Sequence, residues 1–228
     1  MNLRLPPSRF VASARLLQLA SQSLPTGGFA YSGGMEAVLE LGWATDAESC
    51  TRFLLGLARA TLGGLEVPLV VRMYDAWAAA DAAQARLWSQ HLLASRESRE
   101  LREQDGQMGR ALRRVLVEIC EFSGGEAWAP LTYAEALARA AHLFGLGRED
   151  VALVAAYSWL EQHVLATCRL LPLGPVASQK MMTKLLSEVD HLIEQGLATR
   201  DEEMGASCPR LGIASAHHET QYTRIFRS

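Results

Sequence analysis

The stretch REDVALVAAYSWLEQHVLATCRLL, residues 148–171, decides the fold. In it Leu153, Tyr157, Leu160, Val164, Cys168 and Leu171 advance by four, three, four, four and three positions. That spacing draws one apolar stripe along an α-helix. Working outward, 98–121 carries Leu101, Met108, Leu112, Val115 and Ile119 on the same period. Cys50, Phe53, Leu57 and Ala60 repeat it in 46–62, and Met182, Leu185, Leu186, Val189 and Ile193 in 176–195. No alternating run of β-branched and aromatic residues competes with these stripes, and no Asn-Gly or Asp-Gly hairpin turn occurs. The spacing predicts an all-α, single-domain bundle of about nine or ten helices.

The boundaries carry their own signals. Thr132 followed by Glu135 reads as a capping box, and Asp46 and Asp81 read as N-caps. Gly42, Gly63-Gly64, Gly145 and Gly196 follow periodic runs, where a glycine ends a helix in the left-handed conformation. Pro172 and Pro175 punctuate the turn after residue 171. Two segments escape the period. Residues 23–34, SLPTGGFAYSGG, form a glycine-rich loop near the start, in which Phe29 and Tyr31 are expected to anchor the loop. Residues 197–228 read as an extended polar tail that closes on an aromatic and basic string at 222–228.

Composition excludes several classes. The net charge of −3 over 228 residues argues against a dedicated nucleic-acid binder. The longest uncharged apolar run, 151–160, is too short for a bilayer, which takes about 20 residues. Residues 1–9 show no secretory pattern. Cys50, Cys120, Cys168 and Cys208 lie 70, 48 and 40 positions apart without a Cys-x-x-Cys pair, which reads as a reduced, cytoplasmic protein, with Cys50, Cys120 and Cys168 as small buried hydrophobes.

The candidate chemistry is thin. Gly28-x4-Gly33 lacks the lysine of a P-loop and follows no strand. Ser95, Ser98 and Ser123 have no identifiable base, and no nucleophile elbow exists. Glu97, Glu100 and Glu103 alternate with Arg96, Arg99 and Arg102, which reads as a solvated helix face, with a partner-binding surface as the alternative. His91, His142, His163 and His191 stand alone. His217-His218-Glu219, with Cys208, offers the rival reading, a helical metal-dependent enzyme. The residues alone lead to a helical interaction protein.

Four segments in order sharpen this. Residues 16–20 (LLQLA), 24–36 (LPTGGFAYSGGME) and Gly42-Trp43 resemble the N-terminal signature of the urease accessory protein UreF family. Residues 98–109 (SRELREQDGQMG) resemble its central helix, and Leu171-Pro172-Leu173-Gly174 with Gln179 its later turn. Pro209, His218-Glu219 and Gln221-x-x-Arg224-Ile225-Phe226-Arg227-Ser228 are similar to its closing motif.

The resemblance implies an all-helical, non-catalytic urease maturation factor with no cofactor or metal site of its own. Proteins of this kind join urease apoprotein, the accessory protein UreD (also called UreH) and the GTPase UreG for nickel insertion, and commonly form homodimers. It implies a body at 1–204 and a partner-binding segment at 205–228 that orders on meeting UreD. The carried-over partner-binding residues are Pro25, Gly27, Gly28, Phe29, Tyr31, Ser32 and Glu36 near the start. Near the end they are Pro209, His218, Glu219, Gln221, Arg224, Phe226 and Arg227. A sharper expectation is a hydrogen bond from Arg224 to Tyr31, forming the surface that recruits the GTPase.

Overall fold

The computed structural model describes residues 8–120, 128–205 and 208–228. Ser123 and most of the 1–9 segment lie outside the described residues, as does the Cys120 side chain. Helices α1 (Arg9–Ala20), α2 (Met35–Glu40) and α3 (Ala47–Leu57) are followed by a π-helical segment, Ala58–Glu66. Then come α4 (Val67–Ala78), α5 (Ala82–Ala94), α6 (Arg99–Cys120), α7 (Tyr133–Leu143) and α8 (Arg148–Leu170). The chain closes with α9 (Pro175–Leu186), α10 (Val189–Ala198) and α11 (Pro209–His218). No strand occurs among the described residues, so the fold is all-α.

The caps act as the sequence implies. Asp46 accepts from the Ser49 N–H at 2.7 Å and Asp81 from the Gln84 N–H at 2.9 Å. Thr132 Oγ1 accepts from the Glu135 N–H at 3.2 Å, while Glu135 reaches one residue further back than a capping box requires, to the Leu131 N–H. Gly42 and Gly145 adopt positive φ where helices end.

At the core, α4 buries nearly its whole circumference against α5, α7, α8 and α10. α8 is likewise surrounded, by α1, α2, α4, α7, α9 and α10. Its buried residues therefore run from Val151 and Ala152 through Ala156, Leu160 and Val164 to Thr167, wider than the expected stripe. Leu153, at the stripe's edge, faces outward.

Four expectations are corrected. Gly63-Gly64 does not end a helix: it lies inside the π-helical segment, and the Gly64 carbonyl accepts from the Gly205 N–H at 3.1 Å. Gly196 lies inside α10, where its missing side chain admits Val67. The period through 176–195 is broken by a turn at Ser187-Glu188, which separates α9 from α10. Residues 197–228 are not an extended polar tail. Leu211, Ala214, Ser215 and His218 share one buried face of α11, which packs on α2. That stripe escapes notice because only two of its four members are apolar.

Residues 47–78 join α3, the π-helical segment and α4 into one 32-residue rod, long and apolar enough by composition to cross a membrane. Its most apolar window is 67% buried inside the bundle, as in a core helix. The rod was hidden in the sequence because Arg52, Arg59 and Glu66 interrupt its apolar run.

Candidate functional site

The glycine loop and residues 209–228, separated by most of the chain, meet on one surface across α6 and α8. The loop's shape is dictated by its glycines. Gly27, Gly33 and Gly34 have φ of 78°, 60° and 88°, a region that side chains resist. At Gly33 a Cβ would also sit 2.6 Å from His163 Nε2, and at Gly34 2.8 Å from Leu211. These two positions let the loop lie directly on α8 and α11.

Tyr31 is buried, and its hydroxyl donates to Gln107 Oε1 at 2.6 Å. Gln162 on α8 donates to the Tyr31 carbonyl at 3.3 Å. Phe29 barely anchors the loop with its ring, which is 62% exposed and meets the Arg169 guanidinium only at 5.9 Å from its centroid. The Phe29 carbonyl does more, accepting from Arg169 at 2.8 Å.

The C-terminal residues complete the loop by backbone pairing. The Arg227 N–H donates to the Ala30 carbonyl at 2.9 Å, and the Ser32 N–H donates to the Ser228 carbonyl at 2.9 Å. The Ser32 hydroxyl also donates to that carbonyl, and Ser228 Oγ donates to Gln104 at 2.7 Å. Phe226 is buried beneath them.

One carboxylate organises this closure. Glu36, at the start of α2, accepts from the Ile225 N–H at 2.7 Å and the Phe226 N–H at 2.8 Å. Its Oε2 also lies 3.1 Å from His218 Nε2. The other ring nitrogen of His218 lies 2.6 Å from Glu100 Oε2, and Arg224 donates to Glu100 Oε1 at 2.7 Å. A neutral imidazole donates from one nitrogen only. Both ring nitrogens of the buried His218 face carboxylate oxygens, and Glu100 has Arg224 as a second partner. Such pairing is what lets ionisable groups stay out of water.

Glu219 caps α6, accepting from the Arg99 N–H at 2.7 Å, where a carboxylate also complements the helix dipole. Ser98 meets Ser215 across the same junction. Pro209 opens α11 and is exposed with Pro25; Gln221 is half-buried and folds onto the Thr223 carbonyl. Gly28 backs onto Met108.

The structure thus brings the loop residues and the closing-motif residues together, but not through the expected contact. Arg224 pairs with Glu100 and Tyr31 with Gln107; it is Arg227 that approaches Gln107, at 3.4 Å. Glu100, Gln104, Gln107, Gln162 and Arg169 were missed as site residues. The acidic-basic alternation at 96–103 is not one solvated face. Arg99 and Glu103 form an exposed pair at 3.6 Å, whereas Glu100 is buried. Arg96 is held between Glu66 and Asp105. Burial works against the Arg96 charge, but the two carboxylates outweigh it. Burial pushes Glu66 up despite the pull of Arg96.

The geometry does not gather the residues of the metal-enzyme reading into one site. His217 is exposed, His218 has both nitrogens engaged by carboxylates, and Glu219 caps a helix. No group of three metal-ligating side chains stands together among the described residues. Cys50, Cys168 and Cys208 are unbridged. Beneath the loop a cavity of about 130 Å³ borders Trp159, Gln162, His163, Arg96 and Asp105. His163 stacks on Trp159 at 3.8 Å, and burial pushes it down to about 4.

Comparison with known proteins places this architecture. A sequence model of the UreF family matches residues 44–186. The urease accessory protein UreF of Alkalilimnicola ehrlichii is 38% identical over 225 residues, covering 96% of both chains. That of Chromohalobacter salexigens is 39% identical over 220 residues, covering 96% of this chain and 95% of its own. That of Pseudomonas putida is 40% identical over 221 residues, covering 96% and 98%.

Proposed function

The chain belongs to the UreF family of urease accessory proteins, and on that footing we propose that it is a non-catalytic cytoplasmic scaffold of urease maturation. It binds UreD (UreH) through the C-terminal segment 205–228 and recruits the GTPase UreG beside the glycine loop. Nickel passes as cargo to the urease apoprotein, and hydrolysis belongs to the GTPase. The chain works as a homodimer, presenting two such surfaces.

The observation that supports this most is the closure of the loop by the C-terminal residues. Glu36, His218 and Glu100 direct their polar atoms at one another and at backbone N–H groups. Ionisable side chains engaged in this way build a surface and leave no nucleophile–base pair poised for substrate. A surface whose shape depends on two distant segments suits recognition.

The test is reconstitution from purified components. Light scattering after size exclusion should give about twice the 24.9 kDa chain mass for the protein alone. A larger complex should form with UreD, and a larger one again with UreG and GTP. Urease apoprotein activated in that mixture, and left without nickel when this chain is omitted, supports the reading. Equal nickel loading with and without the chain would sink it.

A further inference from the structure

Beside the completed loop runs a groove of about 540 Å³ whose charge is at odds with the rest of the molecule. The chain is net −3, yet this groove is lined by Arg110, Arg113, Arg114 and Arg227 and, among the described residues, by no carboxylate. Several arginines elsewhere do meet a carboxylate: Arg59 with Glu188, Arg72 with Asp201, Arg148 with Asp75, Arg224 with Glu100. Among the described residues no carboxylate lies in ion-pair range of Arg110, Arg114 or Arg227. Arg113 is held in place by the Trp128 carbonyl. Pro25 and the exposed ring of Phe29 form an apolar edge, and alanines at 30, 111 and 129 form the floor.

We propose that this groove docks an acidic segment of a protein partner, carboxylates on the arginines and an apolar side chain against Phe29. This rests on the reading that the chain assembles with other maturation proteins, and it adds which surface and which chemistry. Arginine with an aromatic edge over a small-residue floor is the composition of protein interfaces. Phosphate, which arginines also pair with, is commonly held by free backbone N–H groups as well. Here the N–H groups of Ala30, Tyr31 and Ser32 are already engaged by the carbonyls of Gly27, Gly28 and Ser228. The guanidinium groups of Arg110 and Arg114, with no carboxylate of the described residues in range, stay available for bidentate pairing with carboxylates. The groove also rests on the C-terminal closure, because Arg227 reaches it only through the backbone pairing at Ala30.

The experiment measures binding of purified UreD and of purified UreG–GTP, separately, to the full chain and to two double variants. Arg110→Glu/Arg114→Glu reverses the charge at two exposed positions, and Arg110→Lys/Arg114→Lys keeps it. Circular dichroism and melting establish that both variants fold. The expected result is a loss of roughly ten- to a hundredfold in affinity for one partner in the reversed variant. Binding of the other partner stays unchanged, the lysine variant loses much less, and the parent's affinity falls with salt. Both partners binding the reversed variant within about twofold of the parent overturns the proposal. So does a parent that binds duplex DNA through these arginines, or a reversed variant that loses self-association instead. A parent that binds neither partner defeats the scaffold reading itself, whichever variant is used.

Discussion

Glu36 concentrates more of the site than any other side chain, since one buried carboxylate holds two backbone N–H groups and His218. Glu36→Ala should destabilise the protein by about 3–5 kcal/mol, because it leaves His218 Nε2 and the N–H groups of Ile225 and Phe226 buried without their acceptor. Trypsin should then cut after Arg224 much faster than in the parent, whereas Glu40→Ala, on an exposed residue, should change nothing. His163 makes a second prediction. Burial holds it down to about 4, below the ordinary histidine value of about 6.5. Between those values the unfolded chain binds the extra proton, so stability is full above about 6.5 and is lost as pH falls towards 4. Denaturant midpoints measured from pH 7 to 4.5 should show that slope, and His163→Gln should flatten it. Neither role was legible from sequence. Glu36 and His218 both fall in recognisable motifs, but they are 182 positions apart, and only the fold makes them neighbours.

At the scale of elements, helix periods were readable wherever one face is buried, and less so where a helix is enclosed. Of the stripe expected in 46–62, Cys50 and Leu57 are buried, while Phe53 and Ala60 are half-buried and Leu54 takes the core position beside them. α8 blurs because neighbours cover it on several sides. α11 was missed because serine and histidine stand at its inward positions. Gly196 was read as a stop signal, yet its role is proximity: a Cβ there would lie 2.4 Å from Val67 Cγ1 and 2.7 Å from Val67 Cβ. Gly196→Ala should therefore prise α10 from the junction of the π-helical segment and α4, at about 1–3 kcal/mol. Calorimetry would show a melting temperature lower by roughly 2–4 °C for each kcal/mol. An unchanged melting point would mean that α10 yields without strain.

At the scale of the molecule, the all-α class was open to sequence reasoning because helical spacing is local. The convergence of the two irregular segments was not, because it depends on packing between residues nearly 200 positions apart. Deleting residues 209–228 should strip the cover from Met35, Ser32 and Glu36, each at most 5% exposed in the complete chain. The shortened chain should melt roughly 10 °C lower. Its amides at 30–36 should exchange with deuterium far faster, while those of α4 keep their protection. The order of synthesis gives this arrangement a further consequence. The glycine loop leaves the ribosome 190 residues ahead of the backbone that Glu36 will hold. At about 5–20 residues per second that is an interval of roughly ten to forty seconds. Throughout it, a nascent chain displays an unfinished face, and a polypeptide stopped short of residue 225 never closes it. Residues 225–228 are thus the pieces that finish a face begun long before them.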